Sequence, residues 1–181
     1  MGHLGSVIDE KIRQFIAAQH VFFVASAPLD PHGHVNLSPK GLNTFRILGP
    51  STVAYLDLTG SGVETIAHLR ENGRIVLMFC AFQGPPKIVR FHGRGRGVEI
   101  HEPEFASLKI HFEEMDGARA IIVVDVSRVS DSCGFSVPLL KYEDDRQQLG
   151  AWIQKKGPEG LAKYRHEKNK TSLDGLPGIS D

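Results

Sequence analysis

Apolar residues first repeat at helical spacing. Ile8, Ile12, Phe15 and Ile16 fall three and four apart, which predicts an amphipathic helix running to about Gln19. Ser6, with Asp9 three residues on, reads as the capping box that starts it. The period then shortens to two. His20 to Ala27, rich in Val and Phe, predicts a strand, and Pro28-Leu29-Asp30-Pro31-His32-Gly33 predicts the turn of a hairpin. The returning strand, His34 to Lys40, sets Val35, Leu37 and Pro39 on one face and Asn36, Ser38 and Lys40 on the other. That polar row is open to two readings, plain solvent exposure or the border of a groove.

Asn43 to Pro50 has the composition of a loop, although Phe45 and Ile47 need somewhere to pack. Thr52 to Leu58 predicts a third strand, with Tyr55 and Asp57 opposite Ala54, Leu56 and Leu58. Thr59-Gly60-Ser61-Gly62 leaves that strand and opens a helix from Val63 to about Glu71, with Asn72-Gly73 as its left-handed stop. Ile75 to Phe82 is almost continuously apolar, as in a strand covered on both faces. A long strand from Lys87 follows, in which Gly93, Gly95 and Gly97 alternate with Arg94 and Arg96. Glycines at period two strip one face, where a barrel bends or another backbone approaches. The arginines on the other face read as solvated or paired. A helix from Glu102 to about Glu113 and a strand from Arg119 to Ser130 come next. Two helical pieces, Asp144 to Lys156 and Glu159 to about Lys168, flank Gly157-Pro158, and the tail from Ser172 is expected to be extended.

With 181 residues, 41% of them hydrophobic, the chain supports one core. The expected division is a main domain over 1–135 and a C-terminal helical appendage over 136–181. Lys and Arg match Asp and Glu at 21 each, so no net field favours nucleic acid or an anionic membrane. Cys80 and Cys133 lack the spacing of a zinc or redox pair, which suits a reducing cytoplasm. No apolar run approaches the ~20 residues that span a bilayer, and no signal peptide precedes the first helix, so a soluble, cytoplasmic protein is expected. Met1-Gly2-His3-Leu4-Gly5-Ser6 also fits the loose pattern for N-myristoylation, but the helix-cap reading of Ser6 is preferred.

The candidate chemistry centres on Thr59 to Gly62. Backbone N–H groups and two hydroxyls at the start of a helix form an anion site in outline. The loop lacks the lysine of a P-loop and the three-glycine spacing of a dinucleotide fingerprint. Asn36, Ser38 and Lys40, the strand end Asp57 to Thr59, and Lys87 are the residues expected to border one groove with it. His32 and His34 flank a turn glycine without a ligand cluster, so no metal is expected. Ser38, Ser61 and Ser136 lack a nucleophile elbow, which argues against a hydrolase.

Four stretches carry a family resemblance: Val35-Asn-Leu-Ser-Pro-Lys-Gly41, Val53-Ala-Tyr-Leu-Asp-Leu-Thr-Gly-Ser-Gly62, Leu69-Arg-Glu-Asn-Gly-Arg74 and Pro86-Lys-Ile-Val-Arg-Phe-His-Gly93. Together, over about Val21 to Ser130, the chain resembles the pyridoxamine 5′-phosphate oxidase-like, FMN-binding split-barrel family. The resemblance implies a mainly β fold with peripheral helices, a six-stranded antiparallel split barrel, and a homodimer with two interfacial sites. It places the isoalloxazine ring along the strand containing Asn36, Ser38, Pro39 and Lys40, bordered by Asp57 and Leu58. The FMN phosphate would sit at Thr59, Ser61, Gly62 and Thr65 with basic help, for which Lys40 and Lys87 are the candidates and Arg90 the third. Lys87 and Arg90 lie three apart and point to opposite faces of a regular strand, and of these two Lys87 is favoured.

The departures are specific. The family's oxidases carry an Arg-Lys pair where this chain has Glu64 and Thr65, and a Gln where it has Ile88. Their C-terminal substrate segment has no match here. The expected activity is therefore an FMN-dependent oxidoreductase exchanging a hydride between a reductant such as NADH or NADPH and an unassigned small molecule. No side chain stands out as an acid or base. The alternative is a module that holds a flavin, a deazaflavin or haem without turnover.

Overall fold

The computed structural model describes Gly2 and residues 5–180. The myristoylation pattern, with Met1, His3 and Leu4, lies largely outside the described residues. Helix α1 (Glu10–Ala17) begins later than expected because its N-cap is Asp9, whose carboxylate accepts from Ile12 N at 2.8 Å. Ser6 does not cap it. The backbone before Asp9 is already committed, since Ile8 N donates to the Pro50 carbonyl.

Strands β1 (Phe22–Ser26) and β2 (Asn36–Lys40) form the expected hairpin. The expected loop 43–50 contains a short strand, β3 (Phe45–Ile47), paired with β4 (Thr52–Leu58). Its Phe45 and Ile47 pack against the main core. Helix α2 (Glu64–Asn72) ends at left-handed Gly73, and β5 (Arg74–Cys80), β6 (Ile88–Glu99), α3 (Pro103–Lys109) and β7 (Ala118–Ser132) follow. Helix α4 (Gln148–Lys168) joins both predicted C-terminal pieces across a break at Gly157, where φ is 66°. The tail folds back on itself, Thr171 bridging Pro177.

All seven strands are antiparallel, in the order β2-β1-β5-β6-β7-β4-β3, and the sheet curls into a split half-barrel. The strand count is one more than expected because of β3. Phe22, Val24, Ile75, Leu77, Phe79, Val89 and Phe91 fill its concave side. The glycine face of β6 accommodates α2 and the barrel's bend. A Cβ on Gly95 would stand 3.1 Å from Leu69 and 3.2 Å from Ile75, and one on Gly93 would collide with the Asp125 carbonyl. Arg94 and Arg96 are exposed on the other face, where Arg94 donates to the Asn72 carbonyl and Arg96 pairs with Glu104.

On the convex side of β2, β1, β5 and the start of β6, Cys80 at the end of β5 is buried and the other residues are not. Register places Leu37, Ala25, Val76 and His92 in one row of this face and Pro39, Phe23, Met78 and Arg90 in the next. Val35 and Leu37 are 74% and 63% exposed, and Phe23, Ala25, Val76 and Met78 are half-buried. Within the single chain, β5 buries Ile75, Leu77 and Phe79 on its inner face and, on the outer face, Cys80.

Candidate functional site

The polar row of β2 faces inward. Because Phe22 pairs with Lys40 in register and points into the core, Asn36, Ser38 and Lys40 share that inner face. There they close the split between β2 and the β4–α2 connection. Asn36 donates to the Thr65 hydroxyl at 3.0 Å, Ser38 donates to Asn36 Oδ1 at 3.1 Å, and Lys40 Nζ meets Asp57 Oδ1 at 2.9 Å. The reading of the row as a solvated face does not describe this seam, and what stands of the groove reading is that Lys40 lines a small cavity with Leu58 and Thr59. The apolar row, Val35, Leu37 and Pro39, is the one that faces outward.

Asp57 is the electrostatic centre. Its side chain is 1% exposed and takes Arg119 Nε on Oδ2 at 2.7 Å, while Arg119 also donates to the Gly60 carbonyl. Burial works to raise the Asp57 pKa, but the charges of Arg119 and Lys40, and the hydrogen bonds both donate, bring it below the ordinary carboxylate value. Beside it, Tyr55 is fully buried, and its hydroxyl has no hydrogen-bond partner among the described residues. Burial, followed by the negative charge of Asp57, holds the Tyr55 pKa well above the usual phenol range.

The Thr59–Gly62 turn is occupied by the chain itself. Thr59 donates to the Gly117 carbonyl through both its N–H and its hydroxyl, and Arg165 Nε on α4 donates to that hydroxyl at 2.8 Å. Asn169 Nδ2 reaches the Gly60 carbonyl at 2.9 Å and the Ser61 carbonyl at 3.4 Å. At the start of α2, the Glu64 carboxylate curls back so far that a Cβ on Gly62 would collide with Oε2, and its Oε1 accepts from Leu173 N. An acidic side chain at a helix N-terminus is favourable in itself, and it fills the place an external anion would take.

Lys87 and Arg90 lie among other partners. The Lys87 ammonium sits 5.4 Å from the centre of the Phe15 ring and 3.6 Å from Asp131, and Arg90 donates to the Ser132 hydroxyl. The structure therefore brings together Asn36, Ser38, Lys40, Asp57, Thr59 and Thr65, leaves Ser61 and Gly62 exposed at the turn, and keeps Lys87 and Arg90 away from it. Pro39, Lys40, Leu58 and Thr59 line a small cavity of about 230 Å³ that also touches Leu149 of α4.

Sequence reasoning missed Arg119 and Arg165. Arg119 had a signal: it interrupts an apolar strand, as Asp57 does in β4, and two opposite charges in two apolar strands call for each other. Arg165 had none, being one of several cations on a polar helix.

A curled antiparallel sheet split along a β2–β4 seam, with a helix plugging its glycine face, defines the split-barrel class. The family model described as "Pyridoxamine 5'-phosphate oxidase" matches residues 8–133. The pyridoxamine 5′-phosphate oxidase family protein ustO of Aspergillus flavus is 41% identical over 189 residues, covering 95% of this chain and 76% of that protein. The chain belongs to the pyridoxamine 5′-phosphate oxidase family. Two solved structures share the fold at low identity. HupZ of Group A Streptococcus has a TM-score of 0.57 at 20% identity, over 74% of this chain and 99% of that one. A Clostridium acetobutylicum protein related to general stress protein 26 of B. subtilis (pyridoxinephosphate oxidase family) has a TM-score of 0.51 at 12% identity, over 78% and 99%.

A flavin fits one part of this architecture better than another. The convex face offers exposed Val35 and Leu37 beside half-buried Phe23 and Met78, apolar surface suited to a ring. The Thr59–Gly62 turn suits an FMN phosphate less well, because the Glu64 carboxylate lies against Gly62.

Proposed function

We propose that this protein is a homodimeric flavin-binding oxidoreductase of its family, with FMN as the cofactor and the ring held between subunits against the convex face of β2. The observation that carries this reading is the inversion of β2: its polar residues are turned inward, and Val35, Leu37 and Pro39 point out beside half-buried Phe23 and Met78. Such a contiguous apolar patch on a small protein is characteristic of an interaction surface. A bound flavin would supply the hydride chemistry, while the protein supplies placement and exclusion of water. Among the cations named for the phosphate, half-buried Arg90 lies on the convex face and, among the described residues, has a hydroxyl as its hydrogen-bond partner where Lys87 has a carboxylate, so it is better placed than Lys87.

One observation favours a second reading, a module that holds flavin, deazaflavin or haem without turnover. The titratable groups of the seam are locked: Lys40 and Arg119 on Asp57, and Tyr55 in the core. None is free to move a proton. The visible spectrum of the purified protein, followed by anaerobic NADH or NADPH and then air, tests both readings. Flavin bands that bleach and return support the oxidoreductase, flavin bands that never bleach support the module, and failure to bind added FMN or riboflavin overturns the flavin reading.

A further inference from the structure

Residues 133–147, between β7 and α4, form neither helix nor strand, and most of their side chains are exposed. So long a connection without secondary structure is uncommon and usually functional. It is tied to its own barrel at Leu140, whose N–H donates to the Phe82 carbonyl, and at Tyr142, which stacks on His20 with ring centres 3.6 Å apart. Phe135 and Leu139 are left 81% and 78% exposed. Acids follow these apolar residues: Glu143 and Asp144 are exposed, and neither has a cationic partner among the described residues. The segment thus reads apolar, then negative.

The convex face reads apolar, then positive. Its row Leu37, Ala25, Val76 and His92 continues to Arg128, the register partner of His92 on β7. Arg90, one row on, is the diagonal neighbour of Arg128 across the same two strands. Burial, and then the charges of Arg128 and Arg90, lower the His92 pKa. Arg128 is exposed, and neither it nor His92 has a carboxylate partner among the described residues. Neighbouring like charges with no acid between them destabilise a sheet. A carboxylate brought from outside relieves that repulsion.

We infer that residues 135–145 of one chain dock across the convex face of a second copy, with Phe135 and Leu139 on the apolar strands and Glu143 and Asp144 against Arg128. The two patterns match in length as well as in charge. The four residues from Leu139 to Glu143 span about 13–14 Å when extended. The three strand spacings from β1 through β5 and β6 to β7 span about 14 Å. The exchange is reciprocal, each chain lending its segment to the other, as a two-fold dimer requires. It rests on the homodimer proposed above, and it leaves the β2 end of the face to the flavin ring.

The test is a charge exchange, read as the dimer dissociation constant of the full chain by sedimentation at fixed ionic strength. Glu143→Lys with Asp144→Lys, and separately Arg128→Glu, alter exposed side chains and should leave the unfolding midpoint near that of wild type. Each should weaken dimerisation about tenfold or more, because like charges then meet across the interface. Combining all three substitutions restores opposite charges and should recover most of the wild-type affinity, a rescue that damage to the fold does not predict. Leu139→Asp should weaken the dimer to a similar degree. A dimeric wild type whose variants dimerise equally well overturns the docking and leaves the homodimer standing, and so does a combined variant no tighter than its parents. A monomeric wild type overturns both.

Discussion

Asp57 and Arg119 are joined at 2.7 Å with side chains only 1% and 6% exposed, so two strands of the barrel are locked by an ion pair inside the core. Removing one member of such a pair leaves the other charge buried and alone. Asp57→Ala strands Arg119 and Lys40 together. It should destabilise the protein by about 3–5 kcal/mol, read from urea unfolding at neutral pH. A loss under about 1 kcal/mol would mean that water reaches the site and screens it.

The same carboxylate sets an acid limit. Its folded pKa lies below the unfolded value, because Arg119 and Lys40 outweigh the opposing effect of burial. Its contribution is therefore complete above the unfolded pKa near 4 and is lost as pH falls through the folded value. Wild type should lose stability on acidification from pH 5 to about pH 3 more steeply than Asp57→Asn, which has no proton to take up there. Parallel curves for the two proteins would remove Asp57 from the acid response.

Gly93 and Gly95 separate two uses of glycine on one strand. A methyl on Gly95 meets the ends of Leu69 and Ile75 at 3.1 and 3.2 Å, side chains with some room to yield. Gly95→Ala should cost about 1–3 kcal/mol. At Gly93 the obstacle is the Asp125 carbonyl, which belongs to the sheet at the β6–β7 register shift and cannot move aside alone. Gly93→Ala should be the more damaging, and equal unfolding midpoints for the two variants would contradict this.

These glycines also show what the sequence made legible. Their period of two announced a stripped face and a close approach, though not that α2 supplies it, and the apolar strands announced the sheet. β3 was hidden because three residues carry too little periodicity to separate a strand from a loop. The site was legible in its members more than in its geometry. Asn36, Ser38 and Lys40 were visible as one face, but alternation says only that a face is polar, not whether it points to solvent or to a buried carboxylate. In β2 the polar face is the inner one. The residues that took over the Thr59–Gly62 turn, Arg165 and Asn169, lie more than one hundred positions away in sequence, beyond the reach of any local pattern.

The outward apolar row gives a direct test of dimerisation. Leu37 is 63% exposed in the single chain, so Leu37→Lys should leave the monomer fold within about 0.5 kcal/mol of wild type. At the centre of an obligate interface of about 2,000 Å² the same change buries a lysine without a partner. Sedimentation should show wild-type dimer and variant monomer at micromolar concentration. A monomeric wild type would overturn the dimer, and a variant that dimerises equally well would place the interface elsewhere.

Glu64 decides how a flavin is anchored. Its carboxylate lies over the N-terminus of α2, where the family's oxidases carry the arginine of a basic pair, and it repels any phosphate brought to the Thr59–Gly62 turn. FMN and riboflavin share the ring and differ in the phosphate, so their affinity ratio isolates this effect. Glu64→Gln keeps the shape and the hydrogen bond from Leu173 while removing the charge. If the FMN phosphate comes near this turn, the variant should bind FMN several-fold more tightly, by up to about 1 kcal/mol, the scale of one charge at a helix end, with riboflavin unchanged. If the phosphate is held on the convex face near Arg90 instead, neither affinity should move, and Arg90→Gln should weaken FMN alone. Fluorescence titration of both flavins against wild type and the two variants separates these outcomes. A ratio that no substitution changes would mean that the phosphate makes no contact with either position.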